Sequence, residues 1–136
     1  MSNKEQTLSI IKPDAVERDL IEEIKNIFIR NKLAIKNSKK IHISKDEAAD
    51  FYKVHQSKPF YNDLCSYLSS GPIVVMILEG ENAISLNRKI MGATDPKNAD
   101  DNTIRKLYGI SIDKNSVHGS DSQANAKKEI EFFFKN

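Results

Sequence analysis

The sequence predicts an α+β sandwich, in which a mostly antiparallel sheet carries helices over one face. Three observations lead there. Apolar residues alternate between strand and helix spacing along the chain and give the order β-α-β-α-β-α-β. The Gly-rich first turn of a doubly wound parallel sheet, the competing architecture, is missing. No repeat, low-complexity tract or linker interrupts residues 1–136, so the chain reads as one domain.

Taken in order, Thr7–Ile11 is a β-rich run that ends where Pro13 breaks the ladder. Leu20, Ile21, Ile24, Ile27 and Phe28 fall on one helical arc. Leu33–Ile43 follows as a long strand. Ser44-Lys-Asp-Glu47 is a capping box that opens a helix through about His55. A short helix over Tyr61–Leu68 is closed by Ser69-Ser-Gly-Pro72, and the apolar run 73–78 has the length of a buried strand. Asn82–Met91 forms a helix with Ala83, Leu86 and Ile90 inward and Gly92 as its stop. Residues 93–115 read as loop, apart from a helical turn near Thr103–Tyr108. A short strand at Ser116–His118 and a last helix carrying Ala126, Ile130, Phe133 and Phe134 complete the chain.

Bulk properties set limits on function. At 136 residues the chain is long enough to bury a core, hiding roughly two-thirds of its unfolded surface. A net charge of +2 is far from that of a dedicated nucleic-acid binder. Cys65 is the lone cysteine, which excludes an internal disulfide and points to a reducing, cytoplasmic setting. The polar N-terminus has no secretory apolar core, and no apolar run approaches the roughly 18 residues of a membrane span.

The strongest local constellation is Val117-His-Gly-Ser-Asp-Ser-Gln123. A β-branched strand end delivers His118, Gly119 removes bulk beside it, and Ser120–Gln123 fits a capping box at a helix start. Such a place brings an imidazole near free N–H groups and the positive helix end, an environment that favours phosphate. Glu129, about two turns along, returns a carboxylate towards it. On this motif alone two readings stand, a nucleophile or a polar residue closing a strand. His42 is explained by a solvent-facing strand position and His55 by a helix C-terminus. Lys12, Arg88 and Arg105 suit phosphate oxygens, though each also reads as a surface cation. The long irregular stretch Gly92–Asn115, with Thr94-Asp95-Pro96, has the character of a functional loop. Phe60, in Lys58-Pro-Phe-Tyr61, presents a ring for base stacking or tucks into the core. Neither a G-x-x-x-x-G-K-[ST] loop nor a protein-kinase motif set occurs. Phosphoryl transfer here would rest on side chains.

In these blocks the sequence resembles the nucleoside diphosphate kinase family over almost its whole length. Thr7-Leu-Ser-Ile-Ile-Lys-Pro-Asp-Ala-Val16 resembles the opening strand. Phe51-Tyr52 with His55 and Lys58-Pro-Phe-Tyr61 resembles the mobile helical hairpin. Ser69-Ser-Gly-Pro72, Leu78-Glu-Gly-Glu-Asn-Ala83 and Met91-Gly-Ala-Thr-Asp-Pro96 follow in register, and Asn115-Ser-Val-His-Gly-Ser-Asp-Ser122 resembles the active-site signature. The resemblance implies a ferredoxin-like four-stranded antiparallel sheet. It also implies transfer of the γ-phosphate of a nucleoside triphosphate to a diphosphate through a phosphohistidine at His118, which would maintain triphosphate pools. Lys12, Arg88, Thr94 and Arg105 would hold phosphates with Tyr52 nearby, and Asn115 and Lys12 would touch the ribose. Phe60 would stack on the base, and Ser120 and Glu129 would support the imidazole. Mg²⁺ would enter on the nucleotide, with little direct protein ligation. The resemblance further implies a tetramer or hexamer; the missing apolar span and the lack of a basic stripe with interleaved aromatics lead to the expectation of no membrane and no dedicated nucleic-acid site. Two positions depart from the family pattern. Glu22 stands where relatives often carry glycine, and Asn102 replaces the glycine usual before Thr-Ile-Arg. The end at Asn136 leaves the subunit number open. The rival reading is a non-catalytic ferredoxin-like module that binds nucleotides or single-stranded nucleic acid.

Overall fold

The computed structural model describes residues 4–53, 56–110, 114 and 116–134. Its elements are β1 (Lys4–Ile11), α1 (Pro13–Glu17), α2 (Ile21–Arg30), β2 (Ala34–Ile41), α3 (Lys45–Phe51), α4 (Tyr61–Leu68), β3 (Ile73–Glu81), α5 (Ala83–Met91), α6 (Ile104–Tyr108), β4 (Val117–Gly119) and α7 (Gln123–Phe134). The four strands form one sheet in the order β2-β3-β1-β4, and every neighbouring pair is antiparallel. This is the predicted four-stranded α+β arrangement.

One expectation is corrected. Helices cover both faces of the sheet, not one. Val74, Met76 and Leu78 of β3 join Ile11 and Val117 in a core closed by Ile24, Ile27 and Phe28 of α2, Ala83, Ile90 and Met91 of α5, and Ile104 of α6. Ile73 and Val75 point the other way, with Leu8 and Ile10, against Ala48 of α3, Cys65 and Leu68 of α4, and Phe133 of α7. The unbroken apolar run at 73–78 is what a strand buried on both sides requires. The edge strand β2 behaves differently: Lys36, Lys39 and Lys40 face solvent, and a bulge lies between Ile35 and Asn37.

Local signals explain most boundaries. Ser44 forms its capping box: its Oγ accepts from Glu47 N–H at 3.1 Å, and its own N–H donates to Glu47 Oε1 at 2.9 Å. That helix stops at Phe51, earlier than the spacing predicts, and His55 lies outside the described residues. Pro13 does more than end a ladder. It occupies the first turn of α1, where its fixed φ is already helical and its missing N–H costs nothing. At five residues α1 is too short to register as a periodic pattern. β3 extends to Glu81, three residues past the apolar run, because Lys4–Gln6 pair with Glu79–Glu81.

The start of α5 has no cap from its own segment. Asn82 there adopts φ 51°, and its side chain makes no capping bond. Glu5 of β1 supplies the acceptor: Oε1 receives Ile84 N–H at 2.9 Å, while Oε2 receives Gln123 Nε2 at 2.7 Å. One carboxylate thus seats both α5 and α7 on the sheet. Glu5→Ala is expected to lower stability by about 1 kcal/mol, the usual worth of a helix cap. The urea midpoint should fall without a change in slope, which equilibrium denaturation followed by circular dichroism measures.

Candidate active site

β4 is only three residues long, and its register fixes the site. Ile10 pairs with His118 and Ser9 with Gly119, so the imidazole lies on the Ile10 face of the sheet. Lys12 continues β1 in extended conformation, with φ −76° and ψ 163°, and alternation puts it on that same face. Its backbone N–H donates to the Ser116 carbonyl at 2.8 Å, which ties the ends of the two strands together.

Glu129 and Ser120 both lie close to His118. Its Nε2 lies 3.1 Å from Glu129 Oε1, and Ser120 Oγ donates to the same oxygen at 2.8 Å. Ser120 is fully buried and accepts from Leu8 N–H at 3.3 Å, while its own N–H donates to the Leu8 carbonyl at 3.2 Å. The expectation that Ser120 opens a capping box is therefore corrected. Ser122 caps α7 instead, accepting from Asn125 N–H at 3.1 Å, and Ser120 is left free to hold the carboxylate. Phe51 presents a ring edge-on to the imidazole at a centroid distance of 5.3 Å, with Tyr52 at 6.4 Å. Burial, then the charges of Cys65 and Glu129, raise the Tyr52 phenol far above the ordinary tyrosine range, so it stays neutral.

Arg88, Thr94 and Arg105 come together in a second, open cavity of about 530 Å³ lined also by Ser85, Gly92 and Thr103. Arg105 sits in α6, where a helical turn is predicted, and it is buried, unlike a surface cation. It donates to the Gly92 carbonyl at 3.0 Å and the Val117 carbonyl at 2.9 Å. Burial first, then the Arg88 cation, pull its guanidinium down to about 10, still protonated at neutral pH. Asn102 takes φ 70°, a left-handed conformation that asparagine tolerates better than most residues, and it precedes the Thr103 cap of α6. Glu22 is exposed in the first turn of α2, where the helix dipole favours a carboxylate.

Phe60 does not join either group. It is exposed at the start of α4 with the Lys58 ammonium 5.8 Å from its ring centroid. Asn115 lies outside the described residues. Sequence reasoning missed Asp121, which borders both the Arg88 cavity and the smaller hollow of about 240 Å³ beside His118. Its carboxyl is lowered, chiefly by the hydrogen bond from Asn125. Asp121 sits inside the His-Gly-Ser-Asp-Ser run, so its place beside the histidine was the only signal it gave. Phe51 was quoted only as a neighbour of Tyr52, and nothing in a single sequence shows which of two adjacent rings meets the imidazole.

An imidazole braced by a carboxylate, beside a cavity carrying two arginines and two threonines, is the build of a phosphotransferase on an α+β sheet. Comparison narrows the class. The family model described as nucleoside diphosphate kinase matches residues 5–136, and the chain belongs to that family. It is 58% identical over 130 residues to the nucleoside diphosphate kinase of a Nitratiruptor species, covering 96% of this chain and 95% of the relative. The nucleoside diphosphate kinase of Campylobacter jejuni subsp. jejuni serotype O:2 is 56% identical over 131 residues, covering 96% of each chain. The crystal structure of the Aquifex aeolicus nucleoside diphosphate kinase superposes with a TM-score of 0.96 at 40% identity, over 98% of this chain and 96% of that one.

Gly119 has a steric reason to be glycine. A Cβ there would lie 2.9 Å from Met91 Cε and closer still to Asn87 Nδ2, so α5 packs directly on the backbone beside His118. Gly119→Ala is expected to destabilise the fold by about 1–3 kcal/mol through overpacking. Adding Asn87→Ala should restore part of the lost thermal midpoint, a non-additivity that calorimetry of the single and double variants measures.

Proposed function

We propose that this chain moves the γ-phosphate of a nucleoside triphosphate onto a nucleoside diphosphate through His118, in two half-reactions at one site. The observation that carries this reading is the pairing of His118 Nε2 with Glu129 Oε1 at 3.1 Å. An ionised carboxylate only accepts, so it selects the tautomer with hydrogen on Nε2 and leaves the Nδ1 lone pair as the nucleophile. Nδ1 attacks the γ-phosphorus, the bond to the β–γ bridging oxygen breaks, and the diphosphate leaves with that electron pair. A β-phosphate oxygen of a second diphosphate then attacks the phosphoimidazole and returns the lone pair to Nδ1. Glu129 stabilises the positive charge on the ring between the two steps.

The other residues position and neutralise, which is most of the work in phosphoryl transfer. Arg88, Arg105 and Thr94 hold the phosphates from the adjoining cavity, with Lys12 at the end of β1 and Tyr52 as a neutral neighbour. Lys12 and Asn115 contact the ribose. The exposed Phe60 ring stacks on the base, and a π-face favours no base in particular. The described residues hold no cluster of three or more His, Cys, Asp or Glu side chains of the kind that retains a resident metal. In this reading Mg²⁺ enters as part of the substrate, on the phosphate oxygens. The whole of 1–136 acts as one catalytic domain, in the cytoplasm, where Cys65 stays a thiol. No helix among the described residues is long and apolar enough to cross a membrane. A homo-oligomer, tetramer or hexamer, fits the open β2 edge and the exposed Ile29. Sedimentation velocity counts the copies.

Incubation with γ-labelled ATP and Mg²⁺ should give an acid-labile phosphoenzyme that any nucleoside diphosphate discharges, and His118→Ala should take up no label. Equal labelling of that variant sinks the mechanism. Glu129→Gln should slow label uptake by about tenfold to a hundredfold, the loss of one charged hydrogen bond of about 1.5–3 kcal/mol. Rapid-quench kinetics measures that ratio.

A further inference from the structure

Asp14 is buried, lines neither cavity beside the site, and has no part in the chemistry set out above. A carboxylate out of water is costly unless donors surround it. Here they do. The Tyr67 hydroxyl donates to Oδ1, and the Asp14 N–H donates back to the Tyr67 oxygen at 2.9 Å. Ser116 Oγ and Arg18 Nη2 each reach Oδ2 at 3.4 Å. Arg18 also donates through Nε to the Asp14 carbonyl at 3.1 Å, and through Nη2 to the Tyr108 carbonyl.

The origin of these groups is the telling feature. Each comes from a segment that also carries a residue of the proposed site. Asp14 stands two residues after Lys12; Tyr67 is on α4, whose first turn follows Phe60. Tyr108 ends α6, the helix of Arg105, and Ser116 stands two residues before His118. Ser116 is also the strained point of this junction, with φ 77° in a non-glycine residue. A conformation of that kind is costly and persists only where its surroundings hold it. Three contacts do so: Ser116 Oγ donates to the Asp14 carboxylate and accepts from Arg18 Nη2, each at 3.4 Å, and the Lys12 N–H donates to the Ser116 carbonyl at 2.8 Å. Burial, and then the hydrogen bond to Asp14, keep the Tyr67 phenol protonated and therefore a donor.

We propose that Asp14 is a positioning residue for phosphoryl transfer: its carboxylate ties the segments of Phe60 and His118 to that of Lys12, and Arg18, which it pairs with, reaches the segment of Arg105. The inference rests on the proposed use of those residues. Asp14 touches no substrate. It acts by holding Ser116 and the end of β1 together, and so sets the spacing between the Lys12 and His118 positions. An error of about 1 Å in such spacing costs up to a hundredfold in rate.

The test is single-turnover phosphorylation of the full-length protein by γ-labelled ATP with Mg²⁺, across a range of ATP concentrations, for wild type, Asp14→Asn and Tyr67→Phe. Folded fraction is followed at the assay temperature by circular dichroism. Asp14→Asn should lower the rate at saturating ATP by about tenfold to a hundredfold, with half-saturation changed far less, because Arg88 and Thr94 are untouched. Tyr67→Phe should show a smaller loss of the same kind while fully folded. A merely structural Asp14 would reduce only the amount of active protein, leaving the rate constant of the folded fraction at the wild-type value. That result overturns the proposal. If Asp14→Asn does not fold, Tyr67→Phe decides alone: a wild-type saturated rate rejects the proposal, and a several-fold drop supports it. Wild type that takes up no label fails the function proposed above and removes the ground for this inference, whereas wild-type labelling with unchanged variants rejects only the role of Asp14.

Discussion

Everything in this molecule hangs on β1 being paired along both edges and buried on both faces. β3 holds it from Lys4 to Ile11 on one side, and β4 takes the last three positions on the other. Leu8 and Ile10 belong to one core, Ile11 to the opposite one. A strand so enclosed has no freedom to slip, since a one-residue shift would exchange its two faces. The short β4 inherits its register from that rigidity. His118 is placed by the strand it pairs with, and the backbone of Leu8 exchanges both its hydrogen bonds with Ser120.

The electrostatics follow the same plan. Arg105 is a buried cation whose guanidinium is tied to the carbonyls of Gly92 and Val117. One bond reaches the loop after α5, and the other reaches the residue before His118. Its charge is therefore fixed relative to His118 before any ligand arrives, the kind of preorganisation that the proposed phosphoryl transfer needs. Glu129 is fixed likewise, by Ser120 on one flank and the imidazole on the other.

Much of this was legible in the sequence where a local signal had one physical meaning. The Ser44 box, the α4 helix over Tyr61–Leu68 and the Gly92 stop were readable because caps and periods act within a few residues. Other features depend on distant partners. Ser120 has the composition of a cap, yet tertiary hydrogen bonds to Leu8 and Glu129 recruit it elsewhere, and Ser122 takes the role. The sheet reads as one-faced until both neighbours of Ile73–Leu78 are known. The helical turn near Thr103–Tyr108 was readable as well, yet Arg105 on it also read as a surface cation, because its burial depends on the distant carbonyls of Gly92 and Val117. For the site as a whole, His118 alone was ambiguous, and its reading depended on matching ordered blocks along the chain.

The cavity of Arg88 and Arg105 borrows from α5, the segment after it and α6, with no glycine-rich loop presenting backbone amides. A P-loop is a portable object, a short stretch whose own backbone makes the cradle. This site has no such portable part. Its cations converge only when separate stretches of chain have already packed, so the proposed capacity for phosphate is a property of the finished tertiary structure. A ligand that needs all of those stretches at once draws its binding energy against opening any one of them. Occupancy would accordingly steady the molecule as a whole, in place of a single loop.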